Sequence, residues 1–109
     1  AEPGAVVVFP ERLGLDPAAF LDVARGSASY SQVMETKGPK MVQGDFSPEG
    51  RVRQTLKDAR LMLDQAAAAG QKLSMLEVHA AVLEACVRAG EADLDNSAVI
   101  REVRRRGKN

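Results

Sequence analysis

Tryptophan is absent from this chain, cysteine occurs once, and the aromatic side chains are three phenylalanines and a single tyrosine. With Cys86 alone, an intrachain disulfide and a multi-cysteine metal site are both excluded, and the usage fits a reducing compartment. Scarce aromatics, with alanine and leucine supplying most of the apolar content, favour close-packed helices over a sheet. Net charge is also missing: 15 lysines and arginines balance 15 aspartates and glutamates, so no global field points to nucleic acid or to an anionic membrane. No apolar run is long enough to span a bilayer, and the segment Ala5–Phe9 lacks the basic flank and length of a signal peptide. The expectation is a soluble, cytoplasmic protein that binds neither nucleic acid nor membrane. The G-x-G-x-x-G, G-x-x-x-x-G-K-[ST] and H-E-x-x-H patterns are absent too, which argues against self-contained catalysis and against a bound metal.

What is present is helical punctuation. At 109 residues the chain is one domain's worth. The clearest stretch is Ser47–Gly70, where Ser47-Pro48 reads as a helix start and Gly70 as its stop. Within it Val52, Leu56, Ala59, Leu63 and Ala66 recur at three- and four-residue spacing, with Arg53, Lys57, Arg60 and Asp64 on the opposite side. Ser74–Glu77, SMLE, reads as a capping box opening a helix that runs to Ala89 with apolar stripes on two sides. Earlier in the chain, Asp16-Pro17 starts a short helix carrying Phe20 and Leu21. Tyr30, Val33 and Met34 share the face of another, which Gly38-Pro39 is expected to interrupt. Asp93–Asn96 supplies capping chemistry for a last helix ending in Arg104–Arg106, where positive charge suits the carboxyl end of the dipole. Residues 1–10 hold Pro3, Gly4 and Pro10 and read as an irregular leader. The fold expected is all-α: a bundle-like domain over 11–109 of about five helices, the long central ones near 48–69 and 74–89.

Few side chains carry chemistry. His79, the sole histidine, falls between the two apolar stripes of its helix and reads as structural. Cys86 has no basic neighbour to lower its pKa and reads as core. The last nine residues carry five basic side chains against one acid, a solvated helix end. Lys57 by spacing alone is a surface lysine.

Five segments taken in order change that reading: RLGLDPAAF at Arg12–Phe20, the GP-M segment Gly38–Met41, GDFSP at Gly44–Pro48, LKDARL at Leu56–Leu61, and GEADLDNSAVI at Gly90–Ile100. In this order and spacing the chain resembles the all-helical carboxyl-terminal domain of the β-hydroxyacid dehydrogenases, the family of 3-hydroxyisobutyrate dehydrogenase and tartronate semialdehyde reductase. The resemblance implies that Lys57, in the K-D segment, reaches a nicotinamide cofactor, NAD or NADP, held by a separate Rossmann domain, with Asp58 in support. It also places Tyr30 near the substrate pocket, although helical spacing with Val33 and Met34 favours core packing. The family's glycine fingerprint and catalytic lysine have no counterpart in this sequence, and Gly50 stands seven residues before Lys57 where relatives carry a bulky aromatic.

Two functions follow as expectations. In the first, the chain is the closing and dimerisation domain of an NAD(P)-dependent oxidoreductase acting on a small 3-hydroxy acid. It is inactive without the Rossmann domain and homodimeric through the apolar face of the long helix or of Ser74–Ala89. In the second, it is a stand-alone helical interaction module that kept the fold and lost the chemistry.

Overall fold

A computed structural model describes residues 3–24 and 32–106, with side chains over 7–22 and 37–106. Six α-helices appear among the described residues: α1 (Pro3–Arg12), α2 (Pro17–Ala24), α3 (Gln32–Gln43), α4 (Val52–Ala68), α5 (Ser74–Arg88) and α6 (Val99–Arg106), with a 3-10 turn at Asn96–Ala98 leading into α6. The all-α expectation holds, and no strand is formed by the described residues.

The two long helices form an antiparallel hairpin, and α6 packs across α5. Helix α1 lies against α6 on one side and against α2 and α3 on the other, and so joins the two halves. The core follows the sequence stripes: Val52, Leu56 and Ala59 of α4 meet Ala80, Leu83 and Cys86 of α5, with Val99 and Ile100 of α6 and Val7 and Val8 of α1 closing the other side. Helix α5 is not buried on two sides as its stripes suggest. Val82 is buried, but Met75 and Val78 of the same stripe, in the first turns of the helix, are 76% and 61% exposed.

Three further expectations are corrected. Residues 3–10 belong to a helix. Pro3 takes its first position, where a missing amide costs nothing, and Pro10 falls in the last turn with its ring fully buried, so packing of Val7, Val8 and Pro10 outweighs the one lost backbone bond. Gly38-Pro39 does not interrupt α3. Gly38 lets the helix press onto α2, since a Cβ there would stand 2.7 Å from a methyl carbon of Leu21.

The serine caps of the long helices are not used either. Helix α4 begins at Val52, not Pro48, with Arg51 at its cap position, and Ser47 instead donates to Asp45 Oδ1 at 2.7 Å. Helix α5 begins with Ser74 as its first helical residue and Leu73 at its cap, without a side-chain bond. Asp16 does cap α2, accepting from the Ala18 amide at 3.1 Å. The expected stops hold: Gly70 and Gly90 take φ of 75° and 82°, and the amides after them, of Gln71 and Glu91, bond back to the Ala66 and Cys86 carbonyls.

Candidate functional site

Helix α4 carries Lys57 on the side away from its buried stripe. The side chain is exposed and makes no hydrogen bond or ion pair among the described residues. Its neighbours on the same side are engaged. Arg53 pairs with Asp93, which also lies 3.7 Å from Arg51, and Arg60 pairs with Glu84 of α5 at 3.3 Å. Asp58 therefore has neither arginine as partner; it accepts from Gln54 Nε2 one turn earlier at 3.2 Å. The result is a cation held out from a rigid helix between paired arginines, available to an anionic or polar group presented from outside.

Two cavities lie elsewhere among the described residues. A cavity of about 360 Å³ sits at the hairpin turn, lined by Leu63, Ala67, Gly70, Lys72, Leu73 and Glu77. A smaller one of about 150 Å³ lies between α2 and α3. Neither includes Lys57. No cluster of histidine, cysteine, aspartate or glutamate among the described residues is placed to hold a metal. Tyr30 lies outside the described residues. Cys86 is fully buried, and burial, with the nearby Glu91 charge, pushes its thiol up to about 11, so it stays protonated and unreactive.

What the sequence reading did not find is how α4 is held. Asp95, with no exposed surface, accepts from Lys37 Nζ at 3.0 Å on both oxygens. Oδ1 also takes the amides of Glu49 and Gly50 at 2.9 and 3.1 Å. Oδ2 takes the Ser97 amide at 3.0 Å and its hydroxyl at 2.6 Å, which caps the 3-10 turn. Burial opposes ionisation of this carboxyl, but the bonds from Ser97, Glu49 and Gly50 outweigh it and hold the group well below the usual carboxylate range. The backbone around Asp95 meanwhile satisfies the first amides of α4. Val52 donates to the Leu94 carbonyl at 2.9 Å and Arg53 to that of Ala92 at 3.0 Å, while Gln54 and Thr55 bond to Arg51. Asn96 adds a side-chain bond to Thr55 Oγ1 at 3.0 Å. The sequence showed only that Asp95 lay in a capping stretch; nothing marked Lys37 as its partner across 58 positions.

Comparison with known proteins gives this helix its context. The family model described as NAD-binding of NADP-dependent 3-hydroxyisobutyrate dehydrogenase matches residues 4–103. The chain belongs to that family. Among curated relatives, the 2-hydroxy-3-oxopropionate reductase of Escherichia coli is 26% identical over 86% of this chain and 32% of its own length. A probable 3-hydroxyisobutyrate dehydrogenase of Mycobacterium bovis is 34% identical over 91% of this chain and 36% of its own length. The crystal structure of a 3-hydroxyisobutyrate dehydrogenase from Salmonella typhimurium superposes with a TM-score of 0.86 at 26% identity, over 91% of this chain and 35% of that one. The chain thus spans about a third of the length of the relatives it matches. It is a domain of the NAD-binding, 3-hydroxyisobutyrate dehydrogenase-like oxidoreductases, and the family match includes α1. No helix among the described residues is long and apolar enough to cross a membrane.

Proposed function

We propose that this domain closes a nicotinamide-cofactor site whose dinucleotide-binding part lies in a Rossmann domain of the same enzyme, and that Lys57 is its contact to the cofactor. The observation that carries the reading is a lysine exposed and unpartnered among the described residues, while the arginines one turn before it and three residues after it are paired. When bound, the cofactor supplies hydride transfer. Lys57 supplies a charge-assisted hydrogen bond and a fixed point against which the two domains close. The relatives' names point to a small 3-hydroxy acid or its semialdehyde as the substrate class. We read the domain as inactive by itself, a reading supported by the lack of a metal-holding cluster or a reactive thiol among the described residues.

The test is titration of the complete polypeptide, as its gene encodes it, with NADH and NADPH. One charge-assisted bond is worth about 1.5–3 kcal/mol, so Lys57→Ala should weaken the better-bound cofactor by roughly 10- to 100-fold. Because the side chain is exposed and makes no hydrogen bond or ion pair among the described residues, the thermal midpoint should hardly move. A variant that binds both cofactors as tightly as the parent removes Lys57 from the site.

A further inference from the structure

Helix α4 does not determine its own start. It has no acidic residue in its first turn and no side-chain cap, and two of its first four amides are taken by carbonyls of the segment 92–94. That segment is itself fixed through Asp95, whose carboxylate binds the loop leading into α4 at Glu49 and Gly50, the 3-10 turn at Ser97, and α3 at Lys37. One buried carboxylate therefore sets both the entry of α4 and the surface on which α4 is laid.

The arrangement has a cost that packing alone does not require. A buried ion pair is often no more stable than apolar side chains of similar volume, so Lys37–Asp95 is weak evidence of stabilisation and better evidence of a required geometry. Lys57 lies five residues into α4 from Val52, about 7.5 Å along the axis. With a side-chain radius of about 6 Å, a 20° rotation of the helix carries such a group about 2 Å sideways. A displacement of about 1 Å can cost a factor of about 100 where alignment matters.

We infer that Asp95, clamped by Lys37, is a positioning residue for Lys57: it fixes the rotation and start of α4 and so the direction in which Lys57 meets a cofactor. This rests on the reading of Lys57 given above.

The experiment is a double-mutant cycle in the complete polypeptide, read as NADH and NADPH affinity beside the thermal midpoint. Asp95→Asn keeps an acceptor but loses the charge and one oxygen. Lys37→Gln removes the clamp while leaving the carboxylate its backbone donors, and keeps the test alive if Asp95→Asn fails to fold. Each is expected to weaken cofactor binding by about tenfold or more in protein that is still folded, and to add little to that loss once Lys57 is alanine. Such non-additivity is what a merely structural role would not produce. If Lys57→Ala weakens binding but both Asp95→Asn and Lys37→Gln bind like the parent, or if their effects add fully to that of Lys57→Ala, the inference falls and the cofactor reading stands. If Lys57→Ala is itself silent, both fall.

Discussion

Asp95, Glu91 and Glu102 are all buried or nearly so, and each is held in its ionised form against the cost of burial. For Glu91 the opposing groups are Arg105, at 2.9 Å, and Arg101; for Glu102 they are Arg106 and Arg105, at 2.7 and 2.8 Å. All three carboxyls lie below their ordinary values when folded, so the unfolded chain binds more protons at acid pH. Their contribution is complete above about pH 4–5, where unfolded carboxyls are ionised, and is lost as the pH falls through the folded values. Denaturant midpoints measured from pH 7 to pH 3 should therefore stay level and then drop, and Asp95→Asn should flatten the drop. Of these groups the sequence revealed only Asp95 as a capping residue and the arginines as a basic end. The described part of the tail is part-exposed, as expected of a solvated end, but it also forms ion pairs that the sequence did not show, because Glu91 and Glu11 reach it from 14 and 93 positions away. Separations of that size leave no trace in local pattern.

Helices were legible where their apolar spacing and terminal glycines acted locally. Gly70 and Gly90 stop α4 and α5 as expected, and the stripe of Val52, Leu56 and Ala59 is buried as read. Helix starts were misread wherever a neighbouring element supplied what the serine would have given. At α4 the carbonyls of Ala92 and Leu94 take that role; at α1 burial carries Pro10 through a helical position, and α3 continues through Pro39 beside the close approach of Gly38 to Leu21. A direct consequence concerns Ser74, which is exposed and makes no capping bond. Loss of a working cap costs about 1 kcal/mol, whereas Ser74→Ala should leave the unfolding free energy unchanged or raise it by up to about 0.5 kcal/mol, through alanine's better helix propensity. Urea denaturation of the two proteins decides between these values. The part of the candidate site that lies on α4 was legible only through its family motif, because an exposed lysine has no distinguishing spacing, and Tyr30 falls outside the described residues.

At the scale of the molecule, the hairpin of α4 and α5 leaves Leu61, Met62, Met75 and Val78 each more than half exposed. We propose that these side chains, on α4 and α5, serve the homodimer contact anticipated for the long helix or α5, since exposed large apolar groups on neighbouring helices suit an association surface. Light scattering of the complete polypeptide should give a dimer, and Met75→Glu with Val78→Glu should shift it to monomer at unchanged helicity; a monomeric parent removes the proposal. Elsewhere the fold is closed differently. There α1 and α6, first and last in the described order, lie together, with Arg104 bound to Glu11 at 3.2 and 2.5 Å and Arg12 donating to the Arg104 carbonyl at 2.9 Å. The order of synthesis gives this seam a meaning of its own. Val7 and Val8 are made before Val99–Arg106 and wait, apolar and uncovered on that side, until that helix has been made and has left the ribosome. A polypeptide ending before Val99 would display that face to chaperones and proteases, and one with α6 whole and free of the ribosome would hide it.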